Sequence, residues 1–251
     1  MDLNKLLKNL GIHNFMILAL TTLAIYNIVL GQYWSAIPRI MLSVLIAAVL
    51  DFLVNYYKTK QIFLPKSAII SSTFIGSILA PDAPFFLIAL ASALAIGIKH
   101  IAQFEKSHVF NPAATGIFIA TILGASQLWW TAQPLLLVLA LGMIIAWKFR
   151  RFDSQPAFLA TYFIISAIIL FFAGDISKII LKITDPFVYF FVFFMLVEPR
   201  TSPISRNGRI IYGVVVAVLA SAFLYSYPAQ FVLSALLAGN IFVKAINKTI
   251  K

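Results

Sequence analysis

The sequence contains no cysteine. That removes disulfides, cysteine-ligated iron–sulfur clusters and zinc–thiolate sites within the chain. Charge is also scarce: 11% of the 251 residues are charged, and only 8 are acidic. No polar stretch is long enough to hold a soluble core of its own. There is no Walker loop, no Rossmann glycine fingerprint and no Ser/His/Asp pattern. What fills the chain is apolar, 62% of it, in successive runs of about 20 residues, the length that crosses a hydrocarbon core. These features predict an all-α, polytopic integral membrane protein, a single membrane domain over residues 1–251. The net charge of +11 does not imply nucleic acid, because the basic residues sit in short loops between apolar runs.

Ten hydrophobic segments are expected, at about 12–30, 36–57, 67–80, 84–98, 109–124, 133–148, 156–173, 178–197, 210–225 and 229–246. Lys5 and Lys8 precede the first, with no convincing small-residue cleavage site after it, so it reads as an uncleaved span. With the N-terminus inside, 16 of the 19 basic residues fall on inside segments, Lys99 and Lys106 among them. Lys178 and Lys182 are outside, and Arg39 lies near the outer end of the second span. This positive-inside pattern predicts a multi-pass protein of the cell (cytoplasmic) membrane with both termini cytoplasmic.

The chain also repeats. Pro38 and Pro156 open the second and seventh segments, and Pro81 and Pro199 close the third and eighth, both pairs 118 apart. Asn111-Pro112-Ala113 and Tyr227-Pro228-Ala229 open the fifth and tenth, 116 apart. Five spans per unit requires the second copy to be inverted, giving repeats at about 12–124 and 133–246 with a site between them.

Residues 185–213 draw attention within this frame. The apolar run Phe187–Val197 is 11 residues, a rise of only about 16 Å as a helix. It stops at Glu198-Pro199, where proline disfavours continued helix. Two readings stand: a broken helix whose polar end faces a cavity, or a full helix from near Lys178 with Glu198 at the water interface. Arg206-Asn207-Gly208-Arg209 reads as a basic loop. Asn111 before Pro112 fits an N-cap. Its helix end either offers donors to an anion or a flavin carbonyl or is a plain cap. Thr115, Thr121, Ser71, Ser72 and Thr73 are small hydroxyl residues that most often serve helix packing. Asp51 lies within a span, where an ionised carboxylate costs roughly 2.5–3.5 kcal/mol. It marks an ion path or reaches the interface. Arg39 is expected to snorkel outward. His13, His100 and His108 lie near the inner face, so haem between transmembrane histidines is not expected, nor any metal. Trp129-Trp130 reads as an interface belt.

Two stretches together resemble a known family. SSTFIGSILAPDAPFFLIALASALAIGIKHIAQFEKSHVFNPAATG, with its FNPA motif at Phe110–Ala113, is similar to the first-half core of the RnfD/NqrB membrane subunits. FFMLVEPRTSPISRNGRIIYG resembles their second-half signature, and KFRRFDSQPAFLA the basic linker between. The resemblance implies a membrane electron-transfer subunit of a flavin-dependent, ion-translocating oxidoreductase complex, not an autonomous enzyme. Such complexes pass electrons between ferredoxin or NADH and NAD or quinone, and move Na⁺ or H⁺. A ferredoxin-reductase-like flavoprotein or other Rnf-like subunits would be its partners. Flavinylated members carry FMN on a Thr in a Ser-Gly-Ala-Thr-type motif between spans five and six. Here residues 124–133 hold Thr131 but no such motif, so non-covalent flavin (FMN or riboflavin) or quinone is expected rather than covalent FMN. The candidate cofactor-binding residues are Phe110, Asn111, Pro112, Thr115, Glu198, Thr201 and Ser202; Asp51 and Glu198 are candidates for an ion path. A transporter or channel for a small solute is the alternative that inverted repeats with broken helices also suit.

Overall fold

The computed structural model describes residues 11–104, 107–226 and 228–250. Lys5, Lys8, Lys106, Tyr227 and Lys251, used above for topology and repeat spacing, lie outside them. The described chain is helical apart from a two-residue antiparallel ladder and a single antiparallel bridge between Leu79 and Gln127. The helices are α1 (Ile12–Leu30), α2 (Ala36–Thr59), α3 (Lys66–Ile78), α4 (Phe85–Ile101), α5 (Pro112–Ile122), α6 (Leu135–Phe149), α7 (Ser154–Phe172), α8 (Ser177–Ile183), α9 (Pro186–Phe190), α10 (Arg206–Ser226) and α11 (Phe231–Thr249). The ladder pairs β1 (Gln103–Phe104) with β2 (Ser107–His108). Five helices, α1, α2, α7, α10 and α11, are long and apolar enough to cross a membrane; α4, α5 and α6 are shorter and apolar.

The segment expected at 178–197 is broken at both ends. Helix α8 stops at Ile183, and Asp185 caps a new start by accepting from the Phe187 N–H at 3.3 Å, with Pro186 at the first helical position. After Phe190 the chain widens into a π-turn over Phe191–Met195, closed by Leu196 N to Phe191 O at 3.0 Å. The full-helix reading therefore fails. From Phe190 to Val197 every side chain is buried. Phe190 meets Phe74 edge-on and stacks on Phe194, with ring centroids 4.8 Å apart. Gly142 of α6 makes room for this turn: a Cβ there would stand 2.6 Å from Phe193 Cβ. Gly116 does the same between α5 and α4, where a Cβ would meet Ala91 O at 2.3 Å.

The two halves pack by matching pairs. In the first, α1 lies on α3, α2 on α3 and α4, and α4 on α5. In the second, α6 lies on α9, α7 on the π-turn and α10, and α10 on α11. Across the halves, α1 meets α6 and α5 meets α11.

Two local expectations are corrected. Trp130 is no interface residue: it is fully buried and donates its indole N–H to Gly76 O at 3.0 Å. Arg206–Arg209 is not a loop but the first turn of α10, held by Asp153 at 3.2 Å from Arg206 Nε and 2.8 Å from Arg209 Nε. Arg39 reaches the loop between α3 and α4 at the outer end of α2. It donates to Ala83 O at 2.8 Å, Ser35 O at 2.8 Å and Asp82 O at 3.2 Å, lying over the Phe85 ring.

Candidate functional site

Helix α5 starts where the sequence marks it. Asn111 is extended (φ −62°, ψ 118°), and its Oδ1 accepts from Ala114 N at 2.9 Å. Pro112 fills the position whose N–H has no intrahelical partner. The Asn111 N–H donates to Asn240 Oδ1 of α11 at 3.0 Å, so the cap is pinned to the other half of the molecule. Asn240 in turn donates to Thr201 O at 2.9 Å and to Tyr212 Oη at 2.8 Å.

The break after Val197 is held just as closely. Ser202 Oγ donates to Glu198 O at 2.7 Å, and Arg151 donates to Ser202 Oγ at 2.6 Å and Pro203 O at 3.3 Å. Burial pushes the Arg151 guanidinium below its ordinary value; neighbouring Arg209 adds to the shift and Asp153 opposes it. These bonds fix the backbone of Glu198 and aim its side chain at the start of α5.

There the carboxylate meets three donors. Asn111 Nδ2 donates to Oε2 at 2.7 Å, Thr201 Oγ1 to Oε2 at 3.3 Å, and His108 Nε2 stands 3.2 Å from Oε1. The positive end of the α5 dipole adds to this. Arg200, two residues on and of opposite charge, is exposed and is not the partner of Glu198. His108 arrives through the short ladder between α4 and α5, and its side chain is 4% exposed against 28% for Glu198. The carboxylate is thus half enclosed, with one side toward open space.

A second charged cluster lies at the same end of the bundle. Asp51 on α2 is 1% exposed. Lys99 Nζ donates to its Oδ1 at 2.8 Å, His100 Nε2 lies 2.7 Å from the same atom, and Asn55 Nδ2 donates to it at 3.2 Å. Lys99 also donates to Ser67 Oγ at 2.7 Å. Asp51 therefore does not reach the water interface; it is paired inside. Lys99, counted above among inside basic residues, is a buried partner that ends α4. A buried charge persists only when paired and hydrogen-bonded, and this one is both.

Both clusters open on one cavity of about 320 Å³. Its polar wall includes His13, Lys99, His108, Asn111, Glu198 and Arg200, and Phe74, Phe149 and Phe194 are among its apolar groups. Pro112 also lines it. Phe110, Thr115, Thr201 and Ser202 stand outside the lining: Thr115 Oγ1 donates to Asn111 O at 3.0 Å, and Thr201 and Ser202 act by holding Glu198. Asp51 touches the cavity only through Lys99. Sequence reasoning passed over His108 and Lys99 as site residues. The signal was an unpaired acid in one span and a lysine within reach in another. Among the described residues no group of three or more His, Cys, Asp or Glu side chains is disposed to hold a metal ion.

The model of the NQR2, RnfD, RnfE family matches residues 8–135 and again 126–251. A relative from Methanosarcina acetivorans, one of the subunits of an ion-translocating oxidoreductase complex, is 24% identical over 216 residues, covering 76% of this chain and 73% of its own. With both halves matched and the apolar helices of a multi-pass membrane protein in place, the chain belongs to the NQR2, RnfD, RnfE family.

Proposed function

We propose that the protein is the membrane electron-transfer subunit of a flavin-dependent, ion-translocating oxidoreductase complex. It works with a separate redox partner, a ferredoxin-reductase-like flavoprotein or other Rnf-like subunits, in the cytoplasmic membrane with both termini on the cytoplasmic side. Family membership and the role of the Methanosarcina relative support the complex. The matching helix pairs of the two halves support repeats at about 12–124 and 133–246, and an odd number of spans in each would make the second inverted. The observation that carries the reading is the cavity itself, where Asn111, His108 and Glu198 from opposite halves converge opposite Lys99.

The cavity suits a planar ring. Its volume of about 320 Å³ is at the small end for ligand pockets, roughly 300–1,000 Å³, so a ring system fits inside with any tail directed outward. Phe74, Phe149 and Phe194 offer apolar surface to such a ring. A bound flavin or quinone would supply electron transfer coupled to proton uptake. Lys99, held by Asp51 and Ser67, sets positive charge at one edge of the cavity and favours an electron-rich ring there. His108 Nε2 and Glu198 Oε1 stand 3.2 Å apart, within hydrogen-bond reach of each other. Glu198, the more exposed of the two, is the group that exchanges a proton or a cation with the cavity. Thr131, the hydroxyl in the loop where covalent FMN would sit, is 1% exposed and donates to Ser77 O at 3.3 Å. This supports a non-covalent cofactor.

The test is extraction of the purified protein followed by an absorbance spectrum and quinone analysis. Released flavin or quinone is expected, together with no in-gel flavin fluorescence. Glu198→Gln and Asn111→Ala should retain the fold but change cofactor content or electron transfer with the partner present. If both transfer electrons at the parent rate with full cofactor, the site assignment falls. Protein that releases neither flavin nor quinone would favour transport of a small solute instead. Tags near residues 1 and 251 that report opposite sides of the membrane would exclude the inverted repeat.

A further inference from the structure

A second concave site lies where α6 ends and α7 and α10 begin. Trp147, Arg150, Phe152, Asp153, Arg206 and Arg209 line an open groove there, with Lys148 on the same wall. Its charge is lopsided: among the described residues, three arginines face one carboxylate. Asp153 is already committed to two of them, Arg206 Nε at 3.2 Å and Arg209 Nε at 2.8 Å. The Arg206 side chain remains 79% exposed, and Arg150 is exposed at the left-handed C-cap of α6 (φ 53°).

The placement runs against local electrostatics. Arg206 and Arg209 occupy the first turn of α10, the positive end of its dipole, where anions and not cations are favoured. One aspartate offsets part of this repulsion. A second anion in the groove would offset the rest. The rim is also apolar: Trp147 is 50% exposed and Phe152 42%. An aromatic at a helix end beside basic residues is the pattern of a membrane–water boundary. A ligand matched to this groove carries a negative head group and apolar chains.

We propose that the groove binds one anionic phospholipid of the surrounding membrane. Its phosphate sits on Arg150 and Arg206, and its acyl chains follow Trp147 and Phe152 into the bilayer. This site is separate from the cavity around Glu198 and does not depend on the reading of that cavity. Basic pockets between membrane helices recognise anionic head groups by such charge, at a strength that falls with each basic residue removed.

The experiment uses delipidated, detergent-purified protein titrated with phosphatidylglycerol, with phosphatidylcholine of the same chains, and with glycerol 3-phosphate. Native mass spectrometry reads occupancy and thermal unfolding reads stabilisation. Phosphatidylglycerol should saturate a single site and raise Tm, while phosphatidylcholine and glycerol 3-phosphate should do neither. In the double variant Arg150→Gln/Arg206→Gln, affinity for phosphatidylglycerol should fall by roughly fivefold per residue removed. Its lipid-free Tm should stay close to the parent value, because Arg150 is exposed and the solvent-exposed Arg206–Asp153 pair contributes little to stability. Three results overturn the proposal: equal retention of phosphatidylcholine, unchanged phosphatidylglycerol affinity in the double variant, or binding of glycerol 3-phosphate as tight as that of the lipid.

Discussion

The breaks at Pro81 and Pro199 share their spacing and punctuation but are finished differently. At the first, the last carbonyls of α3 are taken up by the segment 126–131. Trp130 Nε1 bonds Gly76 O, Thr131 Oγ1 bonds Ser77 O, and the N–H groups of Leu128 and Trp129 reach Ile78 O. Ala80 N donates to Ser126 O, and Arg39 clamps Asp82 and Ala83 from α2. The break is plugged by the chain itself. At the second, the backbone is held from outside by Arg151, Ser202 and Asn240, and a carboxylate points into a cavity. Irregular backbone at membrane depth survives only where it is satisfied by protein or lines a cavity. One break takes each solution, so a shared motif need not mean a shared role.

Mutations can break or sharpen that contrast. The largest effect is expected at the plug. Trp130→Ala removes a fully buried indole and leaves Gly76 O unpaired, so thermal unfolding in detergent should show a loss of about 3–5 kcal/mol. A variant as stable as the parent would show that the first break is not sealed by this side chain. Lys99→Met should cost a comparable amount, about 3–5 kcal/mol, because Asp51 is left as a buried charge. Adding Asp51→Asn should recover most of it. If the double variant is no better than the single, the pair is not the reason for the loss.

Smaller effects follow. Gly142→Ala places a Cβ against Phe193 and should cost about 1–3 kcal/mol by overpacking the π-turn. Thr131→Ala loses one hydrogen bond in the plug, worth about 1 kcal/mol, and should leave flavin content untouched. A fluorescent band that disappears in this variant would instead mark Thr131 as an attachment site. Glu198→Gln should be the mildest for stability, under about 1 kcal/mol, since an amide keeps an acceptor for Asn111. For electron transfer with the partner the order should reverse, with Glu198→Gln losing at least about tenfold. Equal loss of turnover in Thr131→Ala would erase the distinction between plug and site.

Much of this molecule is determined by the order of its residues. Apolar runs of span length fix an all-α membrane protein, since only helices satisfy their own backbone there. Proline and a preceding Asn or Asp fix the starts at Pro112 and Pro186, because capping is local chemistry. The stop at Glu198-Pro199 and the candidate positions Asn111, Pro112 and Glu198 were legible for the same reason. The partners were not. That Glu198 meets His108 and Asn111 rather than Arg200, and that Asp51 meets Lys99, depends on side chains 90, 87 and 48 positions apart. Trp130 reads as an interface residue because tryptophan is common at membrane surfaces. It is a plug because the end of α3 offers it an unpaired carbonyl. Capping and span length need only neighbouring residues. The satisfaction of buried charge and of broken backbone needs groups that only helix packing brings together, and only the tertiary structure decides which ones they are.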